Sequence, residues 1–256
     1  MATAPATDDA WTRGIPTDPA DPKNAAWNQY DATIRDAVRT YDRHLQGQGG
    51  YFPNVTLNWL LVKAMCWTET GPGSQEWATK PAQIGVIKGN VTDPGLADLL
   101  SGKPKSQLIL PPEYAPGGPL QITLANTRQI PEFNVRAGIG YLLLKAAITS
   151  KLSVLPPEVP FSHYTAVARD NFSVIGGKVH TTVDELLRDN PNPGKPSQPR
   201  PIFPGNDVLY KPAAEHITGW KTIDAAFAAS SYNIKNVALY TTRIAYCLSI
   251  LQRSGR

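Results

Sequence analysis

The 256-residue sequence is poor in the groups that build metal and redox centres. It holds two cysteines, Cys66 and Cys247, too few for a disulfide framework and without metal-ligand spacing. Both fall in apolar helical stretches, where a buried thiol is favoured over a disulfide. The four histidines, His44, His163, His180 and His216, show no i,i+4 pairing, so no metal site is expected and no cofactor is implied. Neither Gly-x-Ser-x-Gly nor a phosphate-cradling loop occurs, and Gly176-Gly177-Lys178 lacks the upstream glycine such a loop requires. No apolar run reaches the about 18 to 20 residues of a membrane span; the best, residues 59–67, is broken by Lys63. Charged residues are only 18% of the chain, and its Lys and Arg are scattered, so nucleic acid is not an expected partner. The first eleven residues carry Asp8 and Asp9 and no basic-then-apolar pattern, so no cleavable leader is expected. Action outside the producing cell would then need a specialised route or lysis.

What is present is a globular composition, with 41% apolar residues and proline-stiffened loops built from 24 prolines and 20 glycines. The length suits one large domain or two smaller ones. A net charge of +4 and a pI near 9.0 suit anionic partners, bacterial wall polymers among them. The apolar spacing of Trp27, Tyr30, Ile34, Ala37, Val38, Tyr41 and Leu45 predicts a helix over 24–45. Asn58 is the cap expected for a second helix over 59–70, apolar nearly all round and therefore central. A short helix is predicted over 95–101, a hairpin strand over 120–124, and a third apolar helix over 133–149, where Gly138 and Gly140 permit close packing.

Residues 163–211 change in character, predicting strand 163–167, a short helix over 171–176, a helix opened by the capping box Thr182-Val183-Asp184-Glu185, a proline-rich loop, and strand 207–211. Helical patterning resumes over 220–230 and 236–253. The stretches Tyr164–Ile175, Thr181–Pro191 and Ile202–Pro212 resemble, in order and spacing, the beginning, middle and end of a LysM domain. The resemblance implies a β-α-α-β unit that binds N-acetylglucosamine-containing glycans between its first strand-helix loop, Arg169–Phe172, and its last helix-strand loop, Asn190–Ile202, with Asp170, Asn171 and Asn190 at the ligand. Arg169-Asp170-Asn171 stands where that family has Gly-Asp-Thr, and the loop after Asn190-Pro191 is lengthened by extra prolines.

Glu69 closes the second helix. A carboxylate at a helix C-terminus meets the negative end of the dipole, and apolar neighbours disfavour its charged form. Both effects raise its pKa, as a general acid requires; an exposed glutamate fraying the helix end is the equal alternative on physical grounds alone. Trp67-Thr68-Glu69-Thr70-Gly71 resembles the catalytic Glu-Ser-Gly motif of lysozyme-like lytic transglycosylases. Four further stretches resemble later motifs of that family, in order. Pro81-Ala82-Gln83-Ile84-Gly85 stands for its Gly-Leu-Met-Gln-Ile segment, and Pro131–Leu142 for its Asn-Ile-x-x-Gly-x-x-Tyr-Leu helix. Ala228-Ala229-Ser230-Ser231-Tyr232-Asn233 stands for Ala-Ala-Tyr-Asn-Ala-Gly, and Tyr240–Ile244 for the terminal Tyr-Val-x-x-Ile helix. The resemblance implies Glu69 as acid/base, Tyr232 as the hydroxyl beside it, Gln83 and Asn233 on the substrate side, and Asn134 either fixing the start of its helix or bordering the cleft as a substrate-binding residue. Thr70 replaces the family's Ser, and no Gly follows Tyr232-Asn233.

Together these readings give an α+β chain: a mainly α-helical lysozyme-like domain over 1–159 and 213–256, with a LysM module inserted at 160–212. The implied activity is cleavage of the MurNAc–GlcNAc strand of peptidoglycan by one glutamate, in the bacterial wall or periplasm. The 1,6-anhydro-forming route needs no second carboxylate, whereas hydrolysis usually does, and Glu76 is the nearest candidate for that role. A hydrolytic muramidase, a phage-type endolysin, and a non-catalytic peptidoglycan- or chitin-binding protein are the alternatives. As an antibacterial effector the chain would have a cognate immunity protein and a secretion-machine carrier as partners.

Overall fold

The computed structural model describes residues 10–46, 54–84, 94–152, 160–195, 198–211, 214–232 and 235–254. Its helices are α1 (Ala10–Gly14), α2 (Asp31–Gln46), α3 (Trp59–Glu69), α4 (Pro94–Leu99), α5 (Pro104–Ile109), α6 (Leu124–Gln129), α7 (Pro131–Ala146), α8 (Phe172–Val179), α9 (Val183–Asp189), α10 (Ala225–Tyr232) and α11 (Val237–Arg253). Its strands are β1 (Ala147–Leu152), β2 (Ser162–Thr165), β3 (Asp207–Tyr210) and β4 (Ala214–Trp220). The class is α+β and mainly helical. The chain divides into two compact units, residues 1–148 with 219–256, and residues 149–218.

In the larger unit α3 is the centre. Asn58 caps it by accepting from the Leu60 N–H at 2.9 Å, and residues 60–68 are all buried. An all-round apolar helix must be surrounded, and α3 packs against α2 and α11, while α7 packs against α2, α4, α5, α6 and α10. Lys63, which interrupts the apolar run, is 1% exposed and is neutralised by Asp31 at 2.6 Å, with Asn28 Oδ1 accepting a second bond at 2.6 Å. A buried ammonium without such partners would deprotonate or unfold its surroundings. Gly138 and Gly140 of α7 allow the expected close approach: a Cβ at Gly138 would come within 2.9 Å of the Ala82 side chain, and one at Gly140 would strike the Tyr41 hydroxyl.

Several expected elements differ. The helix over 24–45 is a 3₁₀ stretch at Pro22–Asn28 followed by α2. Residues 120–124 form no strand. The Leu120 and Ile122 N–H groups instead donate to the Glu113 and Tyr114 carbonyls, folding the loop on itself, and Thr123 caps α6. The third helix stops at Ala146 because the β-branched run that follows, Ile148-Thr149, enters β1. β1 pairs with β4, so residues 214–220 are strand where sequence showed no element before 220.

In the smaller unit β2 and β3 are antiparallel, with Tyr164 opposite Val208 and Thr165 opposite Asp207. Ala166, Phe172, Ile175, Leu186 and Val208 form its core, and α8 and α9 pack together above the strands. Thr182 and Glu185 make the reciprocal capping box that their spacing predicts.

Candidate active site

α3 delivers Glu69 to the wall of a cleft of about 390 Å³. Trp11, Trp27, Trp67, Thr68, Gly71 and Arg243 line the same space. The Trp67 indole N–H donates to the Trp27 carbonyl at 2.9 Å, and the two rings meet edge to face at 5.1 Å. Gly71 is required here because a Cβ would lie 2.7 Å from the Trp27 ring. Burial pushes the Glu69 carboxyl up from its ordinary 4.5 to about 7, against a smaller downward pull from the hydroxyl of Tyr240. Tyr240, itself buried on α11, donates its hydroxyl to Glu69 Oε1. Burial, with the carboxylate beside it, drives the Tyr240 phenol far above its ordinary value, so it remains a donor throughout the physiological range. A half-protonated carboxyl near neutrality, oriented by a fixed phenol, can give a proton and take one back.

The tyrosine in contact with Glu69 is thus Tyr240, and this corrects the expectation for Tyr232. The Tyr232 hydroxyl donates to the Gly138 carbonyl at 2.6 Å and its ring meets Tyr141 at 5.3 Å, tying α10 to α7. Tyr240 carried a signal in sequence, since it opens the stretch resembling the family's terminal motif. The roles of Trp11, Trp27 and Arg243 did not show. Trp11 lies in a lead-in rich in Pro and Asp with no periodicity to mark it.

Thr70 shows why a hydroxyl follows Glu69: its Oγ1 donates to the Pro81 carbonyl at 3.0 Å and to Cys66 O at 3.3 Å. The loop bearing Gln83 is thereby anchored one residue from the acid. Its other anchor is Asn134, which holds this loop to α7 rather than bordering the cleft. Asn134 is 0% exposed and unable to meet a substrate. Its Oδ1 accepts from the Ala82 N–H at 2.8 Å, while its Nδ2 donates to Ile84 O at 2.8 Å and Thr127 O at 2.9 Å. The two anchors hold Gln83 at φ 51°, a left-handed conformation that costs a non-glycine residue on the order of 1 kcal/mol. Gln83 does not line the cleft with Glu69. Asn233 lies outside the described residues. Glu76 sits exposed on a 3₁₀ turn at Gln75–Ala78 and is not in the cleft wall. Cys66 and Cys247 are free thiols, each pushed up to about 12 by burial, and so stay protonated.

In the smaller unit the three expected ligand residues make hydrogen bonds within the fold. Asp170 accepts from Lys178 Nζ at 2.7 Å, from the Tyr164 hydroxyl at 2.9 Å and from the Val167 N–H at 2.9 Å. Asn171 caps α8 through the Val174 N–H at 2.9 Å. Asn190 is 4% exposed and staples α9 to β3, accepting from Leu209 N–H at 2.8 Å and donating to Leu209 O at 2.7 Å and Leu186 O at 2.9 Å. The most exposed large apolar side chains among the described residues of this unit are Phe203, 63% exposed, and Val167, 52% exposed. They stand on two loops joined by the bonds of Ala166 to Gly205 and Asn206, both 2.8 Å.

Comparisons with family models, curated proteins and solved structures return no match to this chain.

Proposed function

We propose that the larger unit cleaves the MurNAc–GlcNAc strand of peptidoglycan with Glu69 as its only catalytic carboxyl, releasing 1,6-anhydro ends. The observation that carries this reading is the cleft itself: it holds an acid whose pKa lies near neutrality and, among the described residues lining it, no second carboxylate. Glu69 protonates the glycosidic oxygen as the C1–O bond breaks. Its carboxylate then accepts the proton of the sugar's C6 hydroxyl while O6 bonds to C1, so the acid is restored without water. The Tyr240 hydroxyl stabilises the carboxylate between these two proton transfers and keeps Oε1 aimed. Tryptophan-lined walls suit the apolar faces of pyranose rings. Hydrolysis would need a second carboxylate across the cleft, and the exposed position of Glu76 offers no support for it.

Mass spectrometry of fragments released from purified sacculi tests the chemistry. Anhydro ends are lighter than reducing ends by one water; a product mixture holding only reducing ends would refute the single-carboxyl route.

The smaller unit we read as a glycan tether that works through its exposed loops rather than its buried amides. In a Glu69→Gln background, Phe203→Ala should weaken cosedimentation with sacculi by about 10-fold, the scale of one lost sugar–aromatic contact. Unchanged cosedimentation would remove the tether role from that surface.

A further inference from the structure

A second cavity of the larger unit, about 340 Å³, shares no described lining residue with the Glu69 cleft. Lys103 and Lys105 at the start of α5, Lys145 from the last turn of α7 and Lys221 just after β4 all line it, and Asp98 is the one acid among the described residues that do. The end of α7 gathers these lysines. A helix leaves its last carbonyls without partners of its own, and here the Lys221 N–H donates to Ala146 O at 2.9 Å and the Lys105 ammonium to Ala147 O at 2.7 Å. Lys105 is thereby committed to the fold. The other three ammonium groups are not. Lys103 stands 3.8 Å from the Asp98 carboxylate, Lys145 lies 5.3 Å from the centre of the Tyr141 ring, and Lys221 lies 5.9 Å from that of Phe227. The Ser101 and Ser106 hydroxyls donate to the Asp98 and Lys103 carbonyls at 2.7 and 2.8 Å, so the side-chain donors left for a ligand are those ammonium groups. A helix C-terminus carries only about half an elementary charge, too little to offset so many cations.

We propose that this cavity is a binding site for a dianionic phosphate group, free or carried as a monoester, held by Lys103, Lys145 and Lys221. Cations gathered in one concavity repel each other until an anion enters, and the walls focus their field on it. Lysine alone supplies them, without arginine. An ammonium is a point charge with three rotatable donors, so several can close on a tetrahedral oxyanion from different sides, whereas a planar carboxylate is best met by the fork of a guanidinium. The volume falls at the lower end of the about 300 to 1,000 Å³ of small-ligand sites, which leaves room for a short carbon chain beside the phosphate. Such a site is independent of the chemistry at Glu69.

Isothermal titration of the full chain at low ionic strength and about pH 8, where the phosphate is dianionic, tests the site with glycerol 3-phosphate, inorganic phosphate and malate. The tighter phosphate should bind about 10-fold more tightly than malate, a dicarboxylate of the same charge, and should raise the melting transition. Whichever of the two phosphates binds more tightly identifies the source, ester or free anion. Lys145→Gln combined with Lys221→Gln should weaken that binding by about 100-fold, the scale of two charge-assisted contacts. Both lysines are exposed, so the fold should survive their loss, and the melting transition of the unliganded variant checks it. Asp98→Asn removes the acid from the wall and should tighten binding about 3-fold, a gain that no damage to the fold can imitate. Equal affinity for malate and phosphate, no binding of either phosphate, or an unchanged affinity in the double variant overturns the proposal, as does weaker binding in Asp98→Asn. A short DNA duplex that binds where neither phosphate does would overturn it too, and would give the lysines to a nucleic-acid backbone.

Discussion

The two units treat the same kinds of polar side chain in opposite ways. In residues 149–218, Asp170, Asn171 and Asn190 each satisfy backbone or neighbouring groups, and their hydrogen bonds hold strands to helices. In the helical unit Asn134 does likewise, but Glu69 does not: it ends an apolar helix, its charged form is disfavoured by burial, and its one hydroxyl partner is itself buried. The difference separates side chains that stabilise a fold from one that is held at a cost to it. A group whose ionisation the structure resists is the one with chemistry to offer.

Replacing that group should give the largest effect. Glu69→Gln keeps the volume but has no proton to donate, so strand cleavage should fall by at least about 100-fold and as much as 10,000-fold. Near wild-type release of fragments from sacculi would erase the contrast between the units. The same substitution should change stability with the opposite sign. Below pH 4.5 Glu69 is neutral folded or unfolded and contributes nothing. Between 4.5 and about 7 the unfolded chain ionises first, binds fewer protons, and the folded state loses on the order of 3 kcal/mol. Above 7 the penalty is constant. Glu69→Gln lacks this slope, so its denaturant midpoint at pH 8 should exceed that of the wild type while the two approach each other at pH 4. Activity of the wild type, which needs the proton, should decline as pH rises through about 7.

Much of this contrast was readable in sequence, and the remainder was not for definite reasons. Asn58, the apolar run and Gly71 mark α3 and its end, and the capping box at Thr182 marks α9, because these signals are local. Glu69 stands out by its place at a helix C-terminus together with the resemblance of Trp67–Gly71 to a catalytic motif, since position alone fits an exposed, fraying glutamate equally well. For Asn134 and Asn190 the sequence leaves two roles open, because an amide gives the same letter whether it faces a sugar or a carbonyl. Only the fold reveals that Asn134 reaches back more than 50 residues to Ala82. Tyr232 and Tyr240 stand eight apart, and which of them reaches Glu69 depends on the packing of α11 on α3, a non-local fact. β1 and β4 escaped notice because each is specified by the other, and neither shows strict alternation.

Asn134 sharpens the comparison on the structural side. Asn134→Ala leaves the Ala82 N–H and two carbonyls buried without this partner, which should destabilise the helical unit by about 3 kcal/mol. Asn190→Ala should cost the smaller unit about 2 kcal/mol for the same reason. Urea melts followed by probes within each unit would read both. Were either substitution neutral in stability while lowering glycan binding, that amide would belong with the ligand after all.

The smallest expected effects lie in the two tyrosines, where a single oxygen distinguishes the roles. Tyr240→Phe removes the donor to Glu69 Oε1 and with it a downward pull on the carboxyl, so the Glu69 pKa should rise further above 7. Turnover should fall about 10-fold, because the carboxylate formed after proton transfer loses the bond that stabilises and aims it. The alkaline limb of the pH–rate profile should meanwhile move to higher pH, since the acid keeps its proton longer. Tyr232→Phe deletes the bond to the Gly138 carbonyl, a link between α10 and α7. It should cost about 1 kcal/mol of stability and leave the position of that alkaline limb where it was. The profile therefore discriminates where rate alone does not, because a loosened helix can slow turnover without touching the titration of Glu69. A limb that shifts in Tyr232→Phe and stays fixed in Tyr240→Phe would exchange the two assignments and return the catalytic hydroxyl to the residue that sequence favoured.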